Sequence, residues 1–295
     1  MLPGIIIKGI GGFYYVKTES GIYECKARGI FRKDSFAPLP GDKVSISISN
    51  NDRKVGNIEE IFPRESQLIR PTVANVNQIA VVIATKSPQP DFLLLDKLLI
   101  TVEQKKLTAV VCINKIDLDQ DMEYKNLVMS YEKAGYKVIT LSSAIEKGFD
   151  ELESVLKGKT TVFAGQSGVG KSTILNKVLK SYVMETGEVS ERIERGRHTT
   201  RHAELIELKS GGFVLDTPGF SSFELAELEA GELQNFYPEF QEYYGSCKFT
   251  GCMHISEPGC EVKAALEKGI LDRGRHSRYV DFCNMLKEKQ HRKYS

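Results

Sequence analysis

The sequence predicts a multidomain chain: an N-terminal β-barrel of the OB type, a central α/β domain around a largely parallel sheet, and a C-terminal helical domain that binds a metal ion. Three observations carry this. The first 65 or so residues hold short β-branched and aromatic runs separated by turn residues. From Gln78 onward, buried-strand runs alternate with helical patterns. After Phe223 no strand pattern remains, and three of the six cysteines crowd into Cys247–Cys260. A length of 295 residues suits two domains or three small ones, at roughly 150 residues each.

In the barrel, expected over 1–66, the strand runs are IIIKGI, FYYVKT, GIYECKA and KVSISISN, divided at Gly11-Gly12, Ser20-Gly21 and Pro40-Gly41-Asp42. About five short strands in that length suit a small closed barrel. Lys26, Arg28, Arg32 and Lys33 offer it a basic patch for RNA. The central domain, expected over 67–224, has strand runs IAVVIAT, LTAVVCIN, KVITLSS and TTVFAG, with a helix at Phe92–Glu103. AELIEL and FVLD, joined at Ser210-Gly211-Gly212, read as an added hairpin. The last domain, expected over 225–295, runs from the acidic, aromatic Glu227–Tyr244 through the cysteine cluster to helices at about Glu261–Lys268 and Ser277–Lys289.

Forty Lys and Arg against 39 Asp and Glu give a net charge of +1, so nucleic-acid contact must come from local patches. A hydrophobic share of 41% and a charged share of 27% exclude long disorder, collagen and a disulfide-packed miniprotein. The apolar run Ile79–Ala84 is too short to span a membrane. The opening MLPGIIIKGIGG lacks the basic start and long apolar stretch of a signal peptide, so a cytoplasmic location and no membrane partner are expected. In that reducing compartment the clustered cysteines point to a metal rather than to disulfides.

The strongest motif is Gly165-Gln-Ser-Gly-Val-Gly170-Lys171-Ser172, which follows an apolar strand and opens a helix carrying Ile174, Leu175, Val178 and Leu179. Glycines let backbone N–H groups wrap phosphates, and the helix N-terminus adds its positive end. Lys171 is expected to reach the β- and γ-phosphates, and the Ser172 hydroxyl to hold magnesium. Gln166, Ser167, Gly168, Val169 and Thr173 complete the expected phosphate-binding set. Asp216-Thr-Pro-Gly219 ends the strand FVLD; Asp216 would hold magnesium and the Gly219 N–H would meet the γ-phosphate.

Asn114-Lys115-Ile116-Asp117 ends the strand VVCI. A carboxylate there accepts two hydrogen bonds from the N1–H and N2–H groups of guanine, a donor pair that adenine lacks. Asn114 ties the loop in place and the Lys115 stem covers the base. Ser142, Ser143 and Ala144 follow the strand KVITL, where their backbone N–H groups can bind the guanine O6. Gly196-Arg197-His198-Thr199-Thr200 lies where a switch loop supplies a threonine to magnesium, either Thr199 or Thr200, with Thr200 as the working assignment. Arg192, Arg195, Arg197 and Arg201 surround it.

In ordinary P-loop GTPases the P-loop precedes the switch threonine, DxxG, NKxD and the Ser-Ala turn. Here NKID and SSA come first, so the central domain is a circular permutation of the P-loop GTPase fold. Relocated termini are tolerated because domain ends often lie close together.

With the order NKID, SSA, GQSGVGKS, GRHTT and DTPGF, and with its cysteine cluster, the chain resembles the circularly permuted, ribosome small-subunit-dependent GTPase A family (RsgA, YjeQ or YloQ type) along essentially its whole length. The resemblance implies a bacterial GTPase that binds the small (30S) ribosomal subunit and its rRNA late in assembly and is stimulated by it. A monomer converting GTP to GDP is expected. The other readings are a GTPase acting on another RNA such as tRNA, and an RNA-binding scaffold that keeps GTP as a static ligand.

Cys247, Cys252, His254 and Cys260 offer three sulfurs and one imidazole, a closed tetrahedral shell for one structural zinc. Cys25, Cys112 and Cys283 read as packing residues, and His202, His276 and His291 as surface residues. Catalysis needs a water aimed at the γ-phosphate. Where many GTPases place a glutamine after the DxxG glycine, this chain has Phe220, which cannot hydrogen-bond a water; His198 is the nearest alternative in sequence. Gly168 stands where potassium-activated GTPases often carry asparagine, so potassium dependence is not expected. The basic C-terminal segment, with Arg273, Arg275, Arg278, Lys287, Lys289, Arg292 and Lys293, is expected to join the barrel in docking RNA.

Overall fold

A computed structural model describes residues 1–29, 31, 37–50, 53–183, 203–216 and 228–294. Strands β1 (Leu2–Ile10), β2 (Phe13–Thr18), β3 (Gly21–Ala27), β4 (Lys43–Asn50) and β5 (Val55–Ile61) close into a barrel in the order β1-β2-β3-β5-β4. The pair β3–β5 is parallel and the other pairs are antiparallel. Alternation along each strand sends Ile6, Val16, Tyr23, Cys25, Val44, Ile46 and Ile58 to the barrel core. Register shifts at Ile6/Lys8 in β1 and Ser45/Ile46 in β4 bend these strands around the closure. Arg32 and Lys33 of the expected basic patch lie outside the described residues; Arg28 is ion-paired with Glu59.

A two-residue ladder, β6 (Gln67–Leu68) with β7 (Val73–Ala74), follows the barrel. Six further strands make one sheet: β8 (Gln78–Ala84), β9 (Thr108–Asn114), β10 (Lys137–Thr140), β11 (Thr160–Ala164), β12 (Glu204–Glu207) and β13 (Phe213–Asp216), in the order β10-β9-β8-β11-β13-β12. The pairs β9–β10 and β11–β13 are parallel, and β12–β13 is the expected antiparallel hairpin at the edge. Every residue of β8 is buried, as its unbroken apolar run requires of a strand covered on both faces. The helices of this part are α1 (Phe92–Gln104), α2 (Tyr124–Lys133), α3 (Phe149–Leu156) and α4 (Lys171–Val183). The Asp91 carboxylate caps α1 by accepting from the Leu94 N–H at 2.9 Å.

The chain divides into two compact units. One combines Met1–Ile79, Phe149–Phe163 and Ser172–Phe220; the other combines Ala80–Gly148, Ala164–Lys171 and Ser221–Ser295. Within the first, β1 packs against β12. Within the second, short 3-10 turns at Leu233–Phe236 and Pro238–Tyr243 lead to the cysteine loop and to helices α5 (Glu261–Glu267) and α6 (Arg273–Tyr294). Leu233, Tyr237, Phe240, Val262, Tyr279 and Cys283 form a core here that also takes Ile100 of α1. Helix α6 starts at Arg273 rather than at Ser277, with the Asp272 carboxylate accepting from the Arg275 N–H at 2.7 Å. Among the described residues no helix is long and apolar enough to cross a membrane.

Two members of the expected RNA-docking segment are engaged by carboxylates within the fold, Arg275 buried and Arg278 half-buried. The Arg275 guanidinium is buried, with Nη1 2.5 Å from Asp96 Oδ1 and Nε 2.6 Å from Glu239 Oε1. Arg278 Nε donates to Asp96 Oδ2 at 2.5 Å. The rings of Tyr131, Tyr136 and Tyr237 lie 5.0–5.5 Å from the Arg275 guanidinium carbon, and the Tyr131 hydroxyl donates to Asp96 at 2.9 Å. Burying the Arg275 charge requires such pairing, so Arg275 braces helix α6 against helix α1 instead of reading RNA, and the half-buried Arg278 shares its Asp96 partner.

Candidate functional site

The glycine-rich loop leaves β11 at Gly165 and enters α4 at Lys171. Gly165 has φ +142°, and a Cβ there would sit 2.1 Å from the Val82 carbonyl oxygen, so no side chain fits. Gly170, at φ +100°, passes Asn114 closely enough that a Cβ would lie 2.4 Å from Nδ2. Loops with such left-handed residues turn backbone N–H groups toward an anion, and a helix N-terminus adds to that field. The Lys171 ammonium spans the loop, donating to the carbonyls of Gly165 at 2.7 Å and Gln166 at 2.8 Å. Partial burial lowers its pKa from the ordinary lysine value. Ser167, Gly168, Ser172 and Thr173 are exposed, and Val169 is buried beneath them.

The NKID loop is laced to this one. Buried Asn114 donates from Nδ2 to the Val169 carbonyl at 2.8 Å. Lys115, in a left-handed conformation at φ 61°, donates to the Gly168 carbonyl at 2.8 Å and to the Ser87 carbonyl. Thr85, the residue after β8, donates from its hydroxyl to the Lys115 carbonyl at 2.7 Å. The Asp117 carboxylate is exposed and accepts from the Ser142 hydroxyl. Ser142 is itself buried and bridges to Lys147, while Ser143 is half-buried and Ala144 exposed. An exposed carboxylate held by a hydroxyl, beside a phosphate-type loop, is equipped to accept a pair of N–H donors from a base. Thr85 and Ser87 were not anticipated. Their only sequence signal is their place at the carboxyl end of a strand in an open α/β sheet, where ligand crevices form.

Asp216 is the last residue of β13 and pairs in register with Glu204 of β12. The parallel register Val162–Leu215 places it at the end of the sheet from which the glycine loop departs. The expectations on Arg192, Arg195, Gly196, Arg197, His198, Thr199, Thr200, Arg201, Gly219 and Phe220 lie outside the described residues.

Cys247, Cys252, His254 and Cys260 come together as expected, with one donor atom from each lying within 4.8 Å of the others. Cys247 Sγ is 3.9 Å from Cys260 Sγ and 3.6 Å from His254 Nδ1, and His254 Nδ1 is 3.3 Å from Cys260 Sγ. A tetrahedral ion with bonds of about 2.3 Å to sulfur and about 2.1 Å to nitrogen has edges of about 3.8 Å and about 3.6 Å, so the four fit one. None of these cysteines is in a disulfide. Burial pushes the Cys260 thiol up to about 12, raises Cys252 and lowers His254; a bound divalent cation reverses that balance for the thiols.

His254 is held for ligation through Nδ1. Its Nε2–H donates to Gln234 Oε1 at 2.9 Å, which fixes the tautomer. His276, expected at the surface without a partner, instead donates from Nε2 to the His254 carbonyl at 2.7 Å. Glu257 accepts from the N–H groups of Met253, Ile255 and Ser256 at 2.8–3.0 Å. Burial opposes its ionisation, but these donors outweigh it and hold its carboxyl below the usual value. Gln234 and Glu257 carry no ligand signature, and only the folded loop reveals them.

The family described as RsgA GTPase matches residues 61–226, and the one described as RsgA N-terminal domain matches residues 3–56. The chain is 57% identical over 290 residues to the small ribosomal subunit biogenesis GTPase RsgA of Ruminiclostridium cellulolyticum, covering 98% of this chain and 95% of that protein. It is 46% identical over 293 residues to the protein of the same name from Caldanaerobacter subterraneus, covering 99% and 98%. Among solved structures, YloQ, described as a circularly permuted GTPase, is 41% identical with a TM-score of 0.79, covering 98% of this chain and 96% of that one. YjeQ from Thermotoga maritima is 34% identical with a TM-score of 0.81, covering 97% and 98%. With nearly the whole length of its relatives aligned to it, and its central domain matched by the family itself, this chain belongs to the RsgA GTPase family.

Proposed function

We propose that the chain hydrolyses GTP to GDP and phosphate in late maturation of the small (30S) ribosomal subunit, binding the subunit through rRNA and being stimulated by it. The observation that carries this is the lacing of the NKID loop to the glycine loop through Asn114–Val169 and Lys115–Gly168, which supports reading them as a base reader beside a phosphate cradle. The relatives' names as small ribosomal subunit biogenesis GTPases supply the biological setting. In this reading Asp117 reads guanine, residues 165–173 hold the phosphates, and Ser172, Asp216 and Thr200 serve magnesium. Lys171 steadies the charge of the transferring phosphoryl group, and His198 orients the attacking water. One structural zinc sits on Cys247, Cys252, His254 and Cys260. The domains divide at 1–66, 67–224 and 225–295, and the protein works as a cytoplasmic monomer.

Single-turnover GTP hydrolysis with and without small subunits tests the reading. Slow hydrolysis alone and strong acceleration by subunits are expected, because Phe220 offers no amide to hold the water. Acceleration by tRNA and not by subunits would replace the partner, and no hydrolysis under any condition would leave only a GTP-bound scaffold. Asp117→Asn should lose guanine and gain xanthine nucleotide, because an amide donates to the xanthine O2; unchanged GTP binding in that variant would remove Asp117 from the base site.

A further inference from the structure

Strand β12 is the edge of the six-stranded sheet. In sequence it stands between the segment with His198 and Thr200 and the strand that ends at Asp216. The barrel reaches this edge with two lysines. Lys8 Nζ, from β1, lies 2.6 Å from Glu204 Oε2, and Lys17 Nζ, from β2, lies 2.5 Å from Glu207 Oε2. Glu204 is the register partner of Asp216, and Glu207 is the partner of Phe213. The two ion pairs therefore hold both ends of β12, and one of them acts on the residue directly opposite Asp216. A slip of one residue in this short ladder would exchange the faces of all its side chains and give Asp216 a different partner.

We propose that Lys8 and Lys17 are positioning residues for GTP hydrolysis: they hold the β12–β13 hairpin, and with it Asp216, in the register that the magnesium site needs. This rests on the reading of Asp216 as a magnesium residue. The same contact gives RNA on the barrel a route to the nucleotide. Both lysines keep about a third of their side-chain surface exposed, and an ammonium with three donors can meet an RNA phosphate while it keeps its carboxylate. Lys8 also pairs across the strands with Tyr15, whose hydroxyl donates to Glu24 on β3 at 3.2 Å, so the grip on β12 is continuous with the barrel wall. By linkage, a nucleotide-dependent shift of the hairpin alters barrel affinity by the same factor that barrel occupancy alters nucleotide binding.

The test uses the full chain and two readouts. The first is the magnesium concentration that half-saturates GTP hydrolysis without subunits. The second is the ratio of subunit affinities with a non-hydrolysable GTP analogue and with GDP. Lys8→Gln with Lys17→Gln should raise the magnesium requirement about threefold and move the affinity ratio toward one by about three- to tenfold, as expected for the loss of two partly exposed pairs. Lys8→Arg with Lys17→Arg should retain both parental values. Lys17→Glu should raise the magnesium requirement as a broken pair does, and Lys17→Glu with Glu207→Lys should recover it. A double glutamine variant with the parental magnesium requirement overturns the proposal, whatever the subunits do. Failure of the charge exchange to recover the magnesium requirement, which is read without subunits, overturns it too, since Lys17 would then not act through Glu207. Asp216→Asn separates the underlying reading: unaltered magnesium dependence there removes Asp216 from the metal site independently of the lysines.

Discussion

Barrel strands β1 and β2 hold the β12 edge through Lys8–Glu204 and Lys17–Glu207, whose side chains keep between 30% and 41% of their surface exposed. Helix α1 holds helix α6 through Asp96 with Arg275 and Arg278; Asp96 has no exposed side-chain surface and Arg275 has 3%. Both joints are ion pairs at 2.5–2.6 Å, yet they behave as different devices. In the exposed joint, water and salt compete with each partner, and such a pair contributes about 0.2–1 kcal/mol. In the buried joint Asp96 and Arg275 are shielded from water and salt, and Arg275 is held by Glu239 as well. Burial by itself would lower the Arg275 pKa, but Asp96 and Glu239 outweigh it and hold the guanidinium charged. Burial likewise raises the pKa of Tyr131 and Tyr237, keeping them as neutral hydroxyls around the pair. A joint that can yield holds the strand between the proposed switch segments, while one that cannot holds the segment that carries the Cys/His cluster.

The comparison can be broken or sharpened by perturbing each joint. The largest effect is expected from the proposed zinc site at Cys247, Cys252, His254 and Cys260. Purified protein should carry about one zinc per chain, and Cys252→Ser or chelation should remove it and expose the C-terminal segment to proteolysis, since a structural zinc contributes on the order of 10 kcal/mol to its loop. The barrel should stay protected. Folded protein without zinc by metal analysis would remove the metal from this account.

Asp96→Ala comes next. It leaves the buried Arg275 with Glu239 alone and takes the main partner from Arg278, and should cost about 3–5 kcal/mol in denaturant unfolding of the full chain. Should Asp96→Ala prove no more damaging than Glu207→Ala, burial would not be what separates the joints.

The smallest effect belongs to the exposed pairs. Glu207→Gln should change stability by about 0.2–1 kcal/mol, and that difference should vanish as salt is raised toward 1 M, where the Debye length falls to about 3 Å. The Asp96→Ala penalty should persist under the same salt. A salt-insensitive Glu207→Gln effect would mean that the carboxylate is held by more than the lysine.

The barrel was legible in the sequence because its strands alternate with a period of two and are cut by Gly11-Gly12 and Ser20-Gly21, all local features. The glycine loop and the Cys/His cluster were legible for a similar reason: the chemistry expected of them demands particular residue types within a short stretch. What failed was depth. Arg275 and Arg278 were counted with the basic residues of the segment expected to dock RNA, because a charge in sequence carries no sign of burial. Their partner Asp96 is far away in the chain, on a helix whose pattern announced only its apolar residues. His276 was placed at the surface for want of a neighbour in sequence, and its partner is the His254 carbonyl, a main-chain atom that no sequence pattern displays.

The residues by themselves determined the elements, the permuted order of NKID, GQSGVGKS and DTPG, and the types of group available for phosphate, base and metal, since each depends on local periodicity or on side-chain chemistry at short spacing. Only the tertiary structure decided which of those groups meet: Asn114 with Val169, Ser142 with Asp117, Gln234 with His254, Asp96 with Arg275, and Lys8 with Glu204. Such pairings depend on strand order, register and the exclusion of water between elements distant in sequence. Those are properties of the packed chain, because a hydrogen bond or an ion pair acquires its strength from its surroundings as well as from its two partners.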